Sequence, residues 1–249
     1  MTKVARRICV TGATGKAGLV TVRHLREHGY EVVATDNALS GDDVAAGVMK
    51  ADLTDYGQAT EVLRGTDAVV HLANIPAPGR STPAVTFNAN TSMNFNVFHA
   101  AAELGLQRVV WASSETVAGH IAQWSGIPFV ALRFSNILNP ADYERFPGYW
   151  ADPQARKWNL WGYIDERDAA AACRLALTAA VTGSTSFIIA AADTVMAQPS
   201  ADLMRQVFPG VPVSPTLEGC ASLLSADRAR QALGFVPRHS WRDHIEADA

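Results

Sequence analysis

Residues 11–18 read Thr11-Gly12-Ala13-Thr14-Gly15-Lys16-Ala17-Gly18, directly after the apolar run Arg7–Thr11 (RICVT) and at the opening of a helix-period segment, Lys16–Glu27. Glycines at this spacing serve three ends. One permits a tight turn, one lets backbone N–H groups approach a pyrophosphate with no Cβ in the way, and one lets the helix pack closely on the strand. The helix N-terminus adds a partial positive charge. A P-loop is excluded because no Ser or Thr follows Lys16. The stretch predicts a dinucleotide site on Gly12, Thr14, Gly15, Lys16, Ala17 and Gly18.

Asp36 closes the next apolar run, Glu31–Thr35 (EVVAT), and is followed by Asn37. A carboxylate there accepts hydrogen bonds from the adenosine ribose and repels a 2′-phosphate, so NAD is expected rather than NADP. Asp52, in Ala51-Asp52-Leu53-Thr54-Asp55, fits either an adenine contact or the N-cap of the following helix, and the sequence leaves both open.

Further out, four more short runs alternate with helical segments: Val48–Ala51, Ala68–Leu72, Arg108–Ala112 and Pro128–Phe134. Helices are expected over Lys16–Glu27, Tyr56–Leu63 and Pro83–Leu104, the last two stopped by Gly65 and Gly105. Strand-helix alternation of this kind predicts an α/β fold, a doubly wound parallel sheet covered by helices. After Phe134 the chain turns to loops rich in Pro, Trp and Asp. A helix over Asp165–Thr178, a strand over Ser186–Ala190 and short helices near Ala201–Val207 and Ser225–Ala232 follow. Residues 1–136 are read as the dinucleotide-binding Rossmann domain and 137–249 mainly as a small substrate-binding lobe.

The chain has 249 residues and a formal net charge of −3, with 48% apolar residues. That balance, with no Lys/Arg block, excludes nucleic acid and anionic membrane as principal partners and leaves a small molecule. No apolar stretch is long enough to span a bilayer, and the protein is expected to be cytoplasmic. Cys9, Cys173 and Cys220 are widely spaced and odd in number, which argues against a disulfide framework or a zinc knuckle. His24 and His28 share a helical face, but Leu25 stands where a zinc hydrolase needs Glu, so no metal is expected.

Motifs now accumulate: TGATGKAG, ADLTD at 51–55, HLAN at 71–74, FNANTSMNFNVFHAAAELG, RVVWASSETVAG, ALRFSNILNP at 131–140, GYIDERDAAAA at 162–172 and SLLSADRARQALGFVP at 222–237. Together they resemble the NAD-dependent epimerase/dehydratase family, the extended short-chain dehydrogenase/reductases, over nearly the whole chain. The resemblance implies pyrophosphate contacts at Gly12, Gly15, Lys16 and Ala17, a ribose ligand in Asp36, and adenine contacts at Asp52 and Leu53. It implies a cofactor wall at Leu72, Ala73 and Asn74, continued by Ala112 and Ser113. Ser114 corresponds to the catalytic hydroxyl, Asn90 to the helix asparagine that organises water and backbone, and Asn136, with Arg133, to substrate contacts.

One element of that family is missing. Its general base is a Tyr-x-x-x-Lys pair on the helix between the fifth and sixth strands, where Lys lowers the Tyr pKa. None of Tyr30, Tyr56, Tyr143, Tyr149 or Tyr163 has Lys four positions later. Tyr163 has Arg167, which is expected to pair with Asp165 or Asp168 instead. The segment Glu115–Ile127 is close to the minimum of about a dozen residues for a parallel crossover, and the resemblance places a loop and most of a helix at Gly119–His120. Either a segment is missing from the chain at that junction, or the protein has lost catalysis and kept its cofactor. The expected activity is NAD-dependent oxidation or epimerisation at a hydroxyl of a sugar or nucleotide sugar. The alternative is a catalytically silent NAD-binding sensor or regulatory protein. A homodimer is a further expectation, although the family's dimer uses the shortened helix.

Overall fold

The computed structural model describes residues 5–75, 80–112 and 116–245. In chain order the first part runs β1 (Arg7–Thr11), α1 (Lys16–Glu27), β2 (Glu31–Asp36), α2 (Gly41–Ala45), β3 (Met49–Lys50), α3 (Tyr56–Leu63), β4 (Ala68–His71), α4 (Pro83–Glu103), β5 (Arg108–Ala112), α5 (Thr116–Ser125) and β6 (Phe129–Phe134). There follow β7 (Ile137–Leu138), α6 (Pro140–Tyr143), α7 (Pro147–Trp150), β8 (Ile164–Asp165), α8 (Glu166–Thr178), β9 (Ser184–Ile189), α9 (Ser200–Val207) and α10 (Asp227–Leu233).

Seven strands form one parallel sheet in the order β3-β2-β1-β4-β5-β6-β9, flanked by helices. The register places the ends of β1 and β4 side by side, with Thr11 opposite both Thr35 and His71. The order reverses between β1 and β4, and at such a switch point the loops leaving the carboxyl ends of the strands part to make a crevice. Central strands are buried on both faces, which is why Ile8, Val10, Val69, Val110 and Val130 read as continuous apolar runs. The third strand is shorter than its sequence suggests. Only Met49 and Lys50 pair with β2, at the sheet edge, and both are exposed.

The chain separates into two compact units, 1–133 with 170–187, and 134–169 with 188–249. The chain thus returns to the first unit after residue 169. Most of α8 buries Ala170, Cys173 and Ala176, and β9 joins the open edge of the sheet beside β6. In the first unit, α4 packs Val97, Phe98 and Ala101 against Trp111 and Phe129, with Ile121 and Ala122 of α5 beside them. Helix α5 runs unbroken through Gly119 and His120 and is the helix of the crossover between β5 and β6 among the described residues. The second unit has its own core, in which Tyr143, Phe146, Trp161, Tyr163 and Trp241 are fully or almost fully buried.

Candidate cofactor site

The turn after β1 is shaped by contacts that only glycine satisfies. Gly12 has φ +67°, and a Cβ there would lie 2.7 Å from the Ala73 nitrogen. A Cβ on Gly18 would lie 1.9 Å from the Gly12 carbonyl oxygen, so α1 could not approach the turn. The Gly15 N–H closes the turn on the Gly12 carbonyl at 3.1 Å, and the Ala13 N–H donates to Thr35 at 3.1 Å. Gly15 is the N-cap of α1, with no side-chain cap and no acidic residue in the first turn. A helix that opens without a carboxylate or hydroxyl of its own suits an external anion.

The carboxyl end of β2 meets this turn. Asp36 Oδ2 accepts from the Thr14 N–H at 3.0 Å and the Thr14 hydroxyl at 2.8 Å, while Oδ1 accepts from the Asn37 N–H at 2.8 Å. Each oxygen can accept further bonds, so the carboxylate is held in position and can still receive a ribose hydroxyl. Asp52 neither caps α3 nor stands alone. It accepts from the Thr54 N–H and hydroxyl at 2.9 and 2.7 Å, and the cap is Asp55, which accepts from Gln58. Leu53 is buried beneath this turn.

Helix α4 fastens the neighbouring loops with side-chain amides. Asn90 grips Ile75 at both backbone groups, accepting from its N–H at 2.8 Å and donating to its carbonyl at 3.2 Å. Asn96 donates to the carbonyls of Leu53 and Thr54, each at 2.9 Å. Asn94 accepts from His71, whose other ring nitrogen meets the Thr11 hydroxyl at 2.7 Å. That hydroxyl also accepts from the Leu72 and Ala73 N–H groups at 3.2 and 3.3 Å, so its own proton goes to His71 Nδ1 and the ring carries its proton on Nε2. Burial holds the imidazole neutral, with its pKa lowered to about 4. Thr11, His71, Asn94 and Asn96 were not singled out by sequence reasoning. A histidine closing an apolar strand, opposite a threonine closing another, was the available signal.

Leu72 and Ala73 are half-buried along this wall and Asn74 is exposed; Ala112 ends β5 half-buried. Ser113 and Ser114 lie outside the described residues. Arg133 is exposed at the end of β6 in the first unit, whereas Asn136 is half-buried in the second, its carbonyl accepting from the Ile164 N–H.

A profile of the NAD-dependent epimerase/dehydratase family matches residues 8–140. The chain belongs to this family. The L-arabinose 1-dehydrogenase (NAD(P)(+)) of Haloferax volcanii is 35% identical over 111 residues, 45% of this chain and 42% of that protein. UDP-glucose 4-epimerase 4 of Oryza sativa is 31% identical over 133 residues, 46% of this chain and 36% of the relative. The matched region therefore spans less than half the length of these relatives. Among solved structures, the Bordetella bronchiseptica enzyme WbmF in complex with NAD+ superposes with a TM-score of 0.69 at 19% identity, covering 97% of this chain and 91% of that one. The Thermotoga maritima UDP-glucose 4-epimerase gives 0.68 at 17% identity, covering 94% of each. The turn, the uncapped helix and Asp36 fit the family's cofactor, NAD.

The two buried tyrosines are unsuited to proton abstraction. Tyr143 donates to Asp165, and Tyr163 donates to Asp193 at 2.8 Å while accepting from the Trp241 N–H. Burial, reinforced by those carboxylates, raises both phenol pKa values well above the ordinary one. Arg167 meets both oxygens of Asp165, each at 2.7 Å, the pairing expected of it. His24 accepts from Arg174 at 3.1 Å and packs against the His28 ring.

Proposed function

We propose that this chain binds NAD and uses it to oxidise or epimerise a hydroxyl-bearing carbon of a sugar or nucleotide sugar. The observation that carries the reading is the Asp36 carboxylate fixed by Thr14 of the pyrophosphate turn, which joins a ribose acceptor to a phosphate cradle. When bound, NAD accepts a hydride from the alcohol carbon. The residues of this chain hold and orient. Backbone N–H groups at the start of α1 receive the pyrophosphate, and Asp36, with Asn37 behind it, receives the ribose and excludes a 2′-phosphate. Asp52 and Leu53 border the adenine, and Leu72, Ala73, Asn74, Ala112 and Ser113 line the rest. Asn90 keeps the loop at Ile75 in place, Ser114 orients the reacting oxygen, and Arg133 and Asn136 contact substrate.

Tyr143 and Tyr163 are committed to carboxylates and do not serve as the base, and loss of a positioned base slows turnover by about 10²–10⁴. The relatives named above are enzymes, which supports catalysis over a silent sensor. Formation of NADH followed at 340 nm across sugars and nucleotide sugars tests the reading. Slow turnover, falling about tenfold or more in a D36A variant at sub-saturating NAD, is expected; absence of NAD binding by calorimetry overturns it.

We also infer a cytoplasmic location, in keeping with three cysteines that form no cross-link. Among the described residues, no helix is long and apolar enough to cross a membrane. We infer a homodimer through the exposed Phe87 and Phe95 of α4 and Trp124 of α5.

A further inference from the structure

The second unit holds an arginine, Arg156, whose hydrogen-bonding edge meets no carboxylate among the described residues. Arg156 has φ +60°, and Leu160 and Trp161, just after it, have φ +52° and +56°. Bulky L-residues avoid this region, so the segment is held there against local preference, and such segments cluster at ligand-binding places. Two bonds close the loop. The N–H groups of Asn159 and Trp161 both donate to the Arg156 carbonyl, at 3.3 and 3.2 Å. The fold thereby sets the guanidinium carbon 5.4 Å from the Tyr149 ring centre and 5.8 Å from that of Trp158.

Arg156 Nε and Nη2 are shielded from solvent and have no acceptor. These two atoms make the side-on edge of the guanidinium, the one that matches both oxygens of a carboxylate or phosphate. The same unit displays that edge in use, where Arg167 gives Nε and Nη2 to the two oxygens of Asp165. Arg242 likewise meets Asp193 at 3.1 Å, and Arg230 meets Asp227 at 2.5 Å. Leaving such donors unpaired is costly, and an oxyanion removes the cost. Trp158, beside the guanidinium, is 72% exposed and so is not fixed in the core, unlike fully buried Trp161. The Asn159 Oδ1 atom is also shielded and without a donor, ready to accept from a hydroxyl.

We propose that Arg156 is an oxyanion-binding residue, its Nε and Nη2 taking two oxygens of a phosphate or carboxylate, with Trp158 and Tyr149 packing on the ring that carries the group. This deepens the proposed function by giving the substrate an anionic substituent, while the binding itself does not depend on NAD.

Calorimetric titration of the full chain with uridine diphosphate, glucuronate and inorganic phosphate tests it. R156K keeps charge and ring contact but loses the two-pronged edge, and R156M loses both. Each should weaken the bound oxyanion at least tenfold and leave NAD affinity unchanged, which also reports that the variant is folded. W158A should weaken uridine diphosphate and spare inorganic phosphate. Dependence on Arg156 for uridine diphosphate identifies a phosphate, and for glucuronate alone a carboxylate. Affinities within twofold of wild type in both variants, or no oxyanion bound by wild type, overturn the proposal. If wild type fails to bind NAD but binds an oxyanion through Arg156, the cofactor reading falls and this site stands.

Discussion

Asp36 and His71 act on the same turn by opposite means, one through a charge kept and the other through a charge refused. Asp36→Ala removes an acceptor that holds Thr14 and faces the ribose. Loss of charged hydrogen bonds of about 1.5–3 kcal/mol predicts a rise in the NAD dissociation constant of at least tenfold, measured by calorimetry. His71 works through its neutral form. Its folded pKa of about 4 lies below the ordinary 6.5, so the unfolded chain binds the proton more readily. Its contribution is complete above about pH 6.5 and is lost as the pH falls towards 4, by about 3 kcal/mol at the limit. Urea unfolding between pH 4.5 and 7 should show that slope in wild type, and a H71Q variant should flatten it. A slope unchanged in H71Q would assign the acid sensitivity elsewhere.

Elements were the most legible level of this sequence. Strands β1 and β5 and helices α1 and α3 begin and end at the residues their patterns indicate, because apolar runs and stop glycines report burial directly. What escaped was the use of two further polar residues inside α4. Asn94 and Asn96 look like Asn90, which the resemblance singles out, in a helix that is rich in asparagine, and only the partners, His71 and the 53–54 carbonyls as against Ile75, separate them. Asp55 rather than Asp52 caps α3, a choice that two aspartates three residues apart leave undecided in sequence. At the start of α8, Asp165 is fully buried and held below its usual pKa; burial opposes its charge, and the bonds from Arg167 and Tyr143 prevail. Asp165→Ala leaves the buried Tyr143 phenol without its acceptor, while the Arg167 guanidinium can turn to water, being 39% exposed; a buried group so left costs about 1–3 kcal/mol. Thermal unfolding should register it, whereas Asp227→Ala, from an exposed pair on α10, should shift stability by about 0–1 kcal/mol.

At the scale of the molecule, the chain's route between units was the least predictable feature, since residues 170–187 rejoin the first unit after an excursion through the second. Composition there resembles the flanking segments, and only the open edge at β6 dictates the return. The short crossover was legible as an anomaly, and α5 closes it as one helix of ten residues. Intact-mass measurement separates the two explanations of that anomaly: a mass near 26.6 kDa goes with NADH formation depressed by about 10²–10⁴, and a heavier polypeptide with rapid turnover shows that residues beyond this sequence supply the base. The link between Thr14 and Asp36 has a consequence for how the cofactor is read. Because one carboxylate is shared by the turn that faces phosphate and by the strand end that faces ribose, the two halves of the ligand are not independent tenants. Adenosine and pyrophosphate, offered as separate fragments, should each alter the affinity of the other, and a T14V variant, which removes the shared hydroxyl bond, should bring their binding closer to simple additivity.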